Sequence, residues 1–145
     1  MQIQYRHFFQ VPRQVLWDHL QDEEVLGKTL PGCKKFEKVE EGLYHSELGL
    51  NIGPVKGTFT GKVRLSDQQE PEFYRLSLNG KGKPGELSAD AEVHLKETQD
   101  GTELTCEADA HSTGILASVG QRVMNGVAKM LLKQFFKAVE KETSR

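Results

Sequence analysis

The chain has 145 residues, the length of one domain, and should bury about 68 to 70% of its unfolded surface. Its 19 Lys and Arg residues are balanced by 21 Asp and Glu residues, so it lacks the basic excess that binding to a phosphate backbone requires. Nucleic acid is therefore not an expected partner. No internal repeat, low-complexity tract or linker is visible, and the sequence predicts one domain over residues 1–145.

The cysteines and the apolar segments indicate the compartment. Cys33 and Cys106 lie far apart without CxxC spacing, which predicts two free thiols in a reducing compartment; a disulfide between them is the less common alternative there. The first residues contain no apolar signal region, and no segment approaches the ~20 apolar residues needed to cross a bilayer. These features predict a cytoplasmic protein that is neither secreted nor membrane-spanning.

The first third of the chain predicts one strand and two short helices. A strand is predicted from Ile3 to Gln10, and Pro12 suits the first turn of a helix that carries Val15, Leu16, Trp17 and Leu20. A second helical segment, about Glu23 to Leu30, ends at Pro31-Gly32.

From Cys33 to His111, turn signals such as Glu40-Glu41-Gly42 and Ile52-Gly53-Pro54 separate six segments of strand length. Two of them alternate clearly between apolar and polar residues. Their apolar positions are Val55, Phe59, Val63 and Leu65 in one, and Leu87, Ala89, Ala91, Val93 and Leu95 in the other. One dry and one wet face are typical of antiparallel sheets.

A long helix is predicted from about Ile115 to Glu142, capped by Ser112 or Thr113. Its predicted inward face follows a 3.6-residue period through Leu116, Val119, Val123, Val127, Met130, Leu131 and Ala138. At 1.5 Å per residue it would be about 40 Å long, enough to cross a curved sheet. The element order predicts an α+β fold in which an antiparallel sheet grips this helix.

Small residues face each other across the predicted sheet and helix. Ala89, Ala91, Ala108 and Ala110 fall on the inward positions of the last two strands. Gly120 and Gly126 fall inside the predicted helix, where a glycine costs roughly 1 kcal/mol relative to alanine. Small residues on both sides predict an unfilled cavity. The alternative is close packing of helix against sheet.

Alternation and helical phase predict the walls of this cavity, which would bind a ligand mainly through apolar area. The predicted ligand-binding residues are Leu26, Leu30, Ile52, Phe59, Leu76, Leu78, Ala89, Ala91, Ala108, Ala110, Leu116, Val119, Gly120, Val123, Met124 and Val127. A hydrogen bond to a ligand carbonyl could come from Tyr44, Tyr74, Asn79 or Ser112.

A second apolar stripe lies on the other side of the predicted helix. Leu132, Phe136 and Val139 follow helical spacing, and Lys129, Lys133 and Lys137 lie beside them. This combination predicts a docking face for a membrane surface or a partner protein. Packing against the first helix is the alternative.

Signals for catalysis are absent from the sequence. The five histidines are dispersed, and no metal-ligand pair, nucleophile elbow or Gly-rich phosphate loop occurs. We therefore expect no catalytic residues and no metal site. A small-molecule enzyme that uses the same pocket remains an alternative.

Several motifs in order resemble one family. They are Trp17 in the first helix, Leu30-Pro31-Gly32-Cys33, Gly57-Thr58-Phe59-Thr60-Gly61, and Gly114 through Gly120 before the last helix. Over essentially its whole length the chain resembles the carbon monoxide dehydrogenase CoxG family (CoxG-like), which belongs to the SRPBCC/START/Bet v 1-like helix-grip superfamily. The expected fold is then a curved antiparallel sheet of about seven strands around a long C-terminal helix.

The resemblance also implies a function. It implies a cavity for an apolar small molecule such as a quinone or lipid, with no other cofactor. It further implies an accessory role beside a molybdenum-containing hydroxylase or another redox enzyme, with peripheral association at the inner face of the cell membrane. Together with the residues, it predicts a non-catalytic carrier. An enzyme using the pocket, and an assembly factor that does not need it, are the alternatives.

Overall fold

The computed structural model describes residues 1–144, which begin with a strand and two short helices. Their bounds are β1 Gln2–Phe9, α1 Arg13–Leu20 and α2 Glu23–Thr29. Six strands follow: β2 Cys33–Glu40, β3 Leu43–Ile52, β4 Val55–Gln69, β5 Phe73–Gly82, β6 Gly85–Thr98 and β7 Gly101–Ser112. A short 3-10 helix, Gly114–Ser118, precedes the long helix α3, Gln121–Thr143. The predicted element order is confirmed.

All seven strands form one curved antiparallel sheet in the order β1-β7-β6-β5-β4-β3-β2. Strands β2 to β7 pair in chain order, as short hairpin connections require, and β1 closes on β7. The α+β helix-grip class is thereby confirmed.

The two short helices begin as their sequences predict. Pro12 occupies the N-cap position of α1, and the Asp22 carboxylate accepts hydrogen bonds from the backbone N–H groups of Glu24 and Val25 at the start of α2. Helix α1 buries Trp17, whose ring meets Tyr74 edge to face at 5.6 Å between centroids. This contact ties the N-terminal helices to the middle of the sheet.

The apolar core consists of two clusters. The larger contains Phe9, Trp17, Tyr74 and Phe136 and joins β1, α1, the middle strands and the C-terminal half of α3. The smaller consists of Leu50, Val55, Phe59, Leu116, Met124 and Val127. Met1 packs against both clusters. The core is therefore divided between the two ends of the sheet.

The long helix starts later than predicted. Gly114 adopts a φ of 68°, and Thr113 and Val119 are extended, so a continuous helix from Ile115 is wrong. The left-handed backbone conformation at Gly114 favours glycine. A Cβ atom added at position 114 would lie only 3.0 Å from the Cα atom of Gly85. Helix α3 begins at Gln121, and Gly120 is its N-cap residue. Gly120 therefore does not lie inside the helix.

The inward face of α3 is also rotated from the predicted one. The predicted phase points Val123 and Met130 inward, but they are 50% and 49% exposed. The buried face instead carries Met124, Val127, Phe135, Phe136 and Val139. The break at Val119 resets the helical phase, and two phenylalanines bury more apolar area than Val123 and Met130 would.

The predicted docking stripe is wrong. Phe136 is 1% exposed and Val139 is fully buried, and Leu132 packs against the same cluster. The Phe136 ring stacks on Tyr5 at 5.6 Å and meets Phe9 edge to face, because β1 lies beneath this half of α3. Lys129, Lys133 and Lys137 are exposed, as expected, but the apolar residues between them serve the core.

Among residues 1–144, no helix combines the length and apolar character that a bilayer crossing demands.

Candidate ligand cavity

A cavity of about 230 Å³ lies between the two core clusters, enclosed by the sheet and the N-terminal two thirds of α3. Its walls are almost entirely apolar. A cavity of roughly 150 Å³ lined by aliphatic and aromatic side chains stays dry and accepts benzene. This one therefore has room for a larger apolar guest.

Paired alanines create this space on the sheet side. Ala89 lies directly opposite Ala110, and Ala91 opposite Ala108, on the neighbouring strands β6 and β7. Further along the same two strands, Leu95 stands opposite Leu104, and both belong to the filled core. The cavity begins where alanines replace the leucines on β6 and β7. No side chain of α3 fills the volume that the missing leucine side chains would occupy.

Many of the predicted wall residues do lie around the cavity. They are Leu30, Phe59, Leu76, Leu78, Ala89, Ala91, Ala108, Ala110, Met124 and Val127. The structure brings them together from the end of α2, four strands of the sheet and one face of α3. That they contact a ligand stays a prediction.

The other predicted wall residues lie elsewhere. Leu26 is part of the larger core cluster, and Leu116 of the smaller one, against which Ile52 and Val119 pack. Gly120 and Val123 are exposed, because α3 starts later and is rotated. A methyl group added to Gly120 or Gly126 would meet no atom within 4 Å, so neither glycine marks a close approach of protein groups.

The prediction missed two strands and part of the helix wall. Strand β1 contributes Ile3, strand β3 contributes Ser46, Leu48 and Leu50, and α3 contributes residues absent from the predicted wall: Ala128, Leu131, Leu132, Phe135 and Phe136. Of these five helix residues, Leu131 alone belongs to the predicted inward face. The β3 residues follow the alternation Tyr44, Ser46, Leu48, Leu50, which is visible in the sequence. The helix residues could have been found by placing the two phenylalanines inward.

Few polar groups reach the cavity. Ser46 is 3% exposed and lines it from β3. Asn79 and Ser112, two of the predicted polar contacts, also line it, and the Asn79 side chain already accepts a hydrogen bond from the Lys62 backbone N–H. Tyr44 and Tyr74 do not: Tyr44 stacks on Phe36, and burial against Trp17 raises the pKa of Tyr74.

Both cysteines are free thiols. Cys106 lines the cavity, and burial, with a smaller effect of Glu107, raises its pKa to about 11. Because the thiolate is the nucleophile, the Cys106 thiol is inert at neutral pH. Cys33 lies at the start of β2, and partial burial raises its pKa as well.

A polar cluster at the surface between β1 and α3 lies outside the cavity. The His7 Nε2 atom is 2.6 Å from a Glu140 carboxylate oxygen, and the Tyr5 hydroxyl is 3.1 Å from His7 Nδ1. This chain of contacts fixes β1 to the C-terminal half of α3. Within residues 1–144, no three His, Cys, Asp or Glu side chains are grouped as a metal site requires.

The seven-stranded sheet, the long helix and the cavity between them define a helix-grip protein of the START/Bet v 1-like class. The sequence matches the model of the carbon monoxide dehydrogenase CoxG family over residues 8–144. The chain belongs to this family. None of the curated proteins compared with it matches.

Solved structures agree with this assignment. A conserved protein from Geobacillus kaustophilus is 32% identical and superposes with a TM-score of 0.95, covering 99% of this chain and 95% of that one. A START superfamily protein from Mycobacterium smegmatis is 10% identical, with a TM-score of 0.76 and coverage of 99% and 97%. Ara h 8.0201 is 17% identical, with a TM-score of 0.73 and coverage of 99% and 97%. The last two show the shared fold alone.

Proposed function

We propose that this protein binds an apolar small molecule, a quinone or a lipid, in the cavity between the sheet and α3. The observation that carries the proposal is the pair of facing alanine rows, which leaves about 230 Å³ unfilled. Evolved cores are close-packed, and each void forfeits dispersion contacts and stability. A guest that fills the void restores those contacts, which is the physical basis for binding.

The cavity is suited to enclosing an apolar ligand rather than to catalysing a reaction. The buried polar groups of its wall are the hydroxyl of Ser46 and the thiol of Cys106, which burial keeps protonated. His111 also lines the cavity, but its side chain is exposed and its Nε2 atom contacts the Asp109 carboxylate. A general base would have to lie within hydrogen-bond reach of a reacting proton, and the polar cluster of Tyr5, His7 and Glu140 lies outside the cavity wall. We therefore propose a non-catalytic carrier.

Membership of the CoxG family supports an accessory role. We propose that the protein serves a molybdenum-containing hydroxylase or a related redox enzyme at the inner face of the cell membrane, where apolar electron acceptors are dissolved. In this role, the cavity shields a quinone or lipid from water between the bilayer and the enzyme.

Gentle purification followed by native mass spectrometry and solvent extraction tests the proposal. We expect an apolar molecule on the wild-type protein and none on the double variant Ala91→Leu/Ala108→Leu, in which two isobutyl groups fill the cavity. Ala117→Leu, an exposed position on the 3-10 helix, is the matched control and should carry the molecule. A wild-type protein that is empty and also refuses added quinones and fatty acids would contradict the proposal.

The same variants distinguish the assembly-factor alternative. If Ala91→Leu/Ala108→Leu supports the partner enzyme in cells as well as the wild type does, the cavity is not needed for function, and the surface alone matters. Turnover of an added ester, epoxide or polyketide by the wild type, and not by the filled variant, would instead establish an enzyme.

A further inference from the structure

One end of the molecule exposes large apolar side chains. Ile115 is 71% exposed on the 3-10 helix, and Val123 and Met130 are half-exposed on α3. Val123 and Met130 are seven residues apart, so they lie on the same face of the helix two turns apart. This outer face lies directly behind Met124 and Val127, which form part of the cavity wall.

Two hairpin turns meet α3 and the 3-10 helix at this end. In the β3–β4 turn, a methyl group at Gly53 would lie 4.0 Å from Cγ2 of Val127. In the β5–β6 turn, the carbonyl oxygen of Pro84 accepts a hydrogen bond from the backbone N–H of Leu116. The tips of both hairpins therefore adjoin the exposed apolar side chains.

The charges at this end are mainly positive. Lys56, Lys81 and Lys83 lie at the two hairpin tips, and all three are exposed. On α3, Arg122, Lys129 and Lys133 adjoin Val123 and Met130. Residues 48–66, 73–85 and 111–139, which supply this end, contain no Asp or Glu. The exception is Glu86, which lies opposite Lys81 beside the β5–β6 turn and is half-buried.

At the opposite end of the sheet, acidic side chains outnumber basic ones. Its turns carry the acidic residues Glu40, Glu41, Glu70, Glu72, Glu97 and Asp100. Three of the basic side chains there are paired: Lys38 with Glu41, Arg75 with Asp67, and Arg13 with Glu72. Within residues 1–144, none of the six basic side chains at the cavity end forms a salt bridge. A net charge of −2 thus conceals a strong separation of charge.

We propose that this surface docks on an anionic lipid bilayer, which refines the proposed function by naming the face that meets the membrane. We call it the basic end: Ile115, Val123 and Met130 with Lys56, Lys81, Lys83, Arg122, Lys129 and Lys133. The apolar side chains enter the interfacial region, and the cations face the lipid phosphates. Docking brings the Met124–Val127 wall of the cavity against the bilayer.

A bilayer fits this surface better than a protein partner does. The apolar side chains are separate protrusions on a convex helix and a turn, where a protein interface would present a contiguous, closely packed patch. Unpaired cations around them lose little hydration at a lipid surface, because anionic headgroups are mobile and adapt to them. Binding of this kind is reversible and weakens as salt screens the charges.

Co-sedimentation with vesicles of phosphatidylcholine and phosphatidylglycerol tests the proposal. The wild-type protein should bind these vesicles at low salt, and pure phosphatidylcholine much more weakly. The variant Val123→Glu/Met130→Glu should lose at least tenfold in affinity. Each of Lys56→Gln and Lys83→Gln should lose about fivefold, the usual contribution of one basic residue near an anionic surface. Since all four positions are exposed, the variants should fold normally.

Matched controls lie at other positions. Val39→Glu changes a valine that is 58% exposed on edge strand β2, and Lys96→Gln removes a cation next to the acidic turns; both should bind vesicles as the wild type does. Equal losses in the control and test variants, unchanged binding by Val123→Glu/Met130→Glu, or no vesicle binding by the wild type would overturn the proposal. So would binding that depends on the basic end but requires the partner enzyme instead of lipid.

A second readout separates this proposal from the proposed function. Val123→Glu/Met130→Glu should still bind a small apolar probe that lacks a lipid tail, 2,3-dimethyl-1,4-naphthoquinone, because its cavity is intact. Loss of vesicle binding with retained probe binding supports the docking surface. If the wild type binds vesicles but neither this probe nor an added fatty acid, the ligand proposal fails and the docking surface stands.

Discussion

Ala91 and Ala108 face each other across β6 and β7, and nothing in the chain fills the space above them. On the other side of β6, Leu76 of β5 is the partner of Ala91, so the small pair is flanked by a leucine that also lines the cavity. The alanines are confined to a short stretch of β6 and β7, and this stretch lies beside the gap between the two core clusters.

Filling this space should stabilise the protein. Ala108→Leu adds three carbons in an apolar void, and at about 0.8 kcal/mol per buried CH₂, less the rotamer entropy of leucine, we expect a gain of about 1.5 kcal/mol. In a close-packed core the same change would cost about 1–3 kcal/mol. Urea unfolding measures the difference, with the exposed Ala117→Leu as the control that should change by less than about 0.5 kcal/mol. A destabilised Ala108→Leu would mean that the space is already occupied.

Phe136 should act as a core residue. It is 1% exposed and contacts the Tyr5 and Phe9 rings, so Phe136→Ala should reduce the free energy of unfolding by about 3–5 kcal/mol. The neighbouring Lys137→Ala is exposed and should be almost neutral. Denaturant unfolding of both variants checks this burial. If Phe136→Ala were as stable as the wild type, the helix would have a different rotation from the one described.

Stability should fall in alkaline solution because of Cys106. Its pKa is raised from 9.0 to about 11, mainly by burial. Between about pH 9 and pH 11 the unfolded chain has lost the thiol proton that the native state keeps, so the contribution present below pH 9 is lost as the pH rises. Urea unfolding at successive pH values should show a steeper decline for the wild type than for Cys106→Val. Tyr5 and Tyr44, whose pKa values are also raised, remain in both proteins, and their effects cancel. Equal slopes would contradict burial of the thiol.

Ser46 should discriminate between ligands that can and cannot accept a hydrogen bond. Its hydroxyl lies in an apolar wall, where one hydrogen bond contributes about 1 kcal/mol, or roughly fivefold in affinity. Ser46→Ala should therefore weaken 2,3-dimethyl-1,4-naphthoquinone about fivefold and leave the hydrocarbon 2,3-dimethylnaphthalene unchanged. Competition binding of the two compounds measures both effects. An equal change for both would show that Ser46 acts through cavity shape alone.

The sheet could be predicted from the sequence, because its signals are local. Turn residues separate the strands, and alternation assigns each face, so Ala89, Ala91, Ala108 and Ala110 were placed correctly on the inward side. The register that sets Ala91 opposite Ala108 follows from the tight β6–β7 turn.

The long helix could be predicted in kind, but its start and rotation could not. Whether the chain stays helical through Val119 depends on the contact between Gly114 and Gly85, which are distant in sequence. Since each residue turns a helix by about 100°, a break at Val119 moves the inward face. Val123 and Met130 then point outward, and Phe136 points into the core.

The charge separation could not be predicted either, because it too depends on contacts between residues that are distant in the sequence. Lys56, Lys83 and Lys129 are dispersed in the sequence, and only the antiparallel pairing and the packing of α3 bring them to one end. A net charge near zero gave no indication of that arrangement.

Calorimetric titration of 2,3-dimethyl-1,4-naphthoquinone tests the central claim most directly, since this quinone has no free ring position for a thiol to attack. The account predicts saturable binding of one molecule per chain to the wild type, with a negative heat-capacity change from burial of apolar surface. It predicts no binding to Ala91→Leu/Ala108→Leu and normal binding to Ala117→Leu. Equal binding to the wild-type and filled proteins would contradict the claim that the cavity is the ligand site.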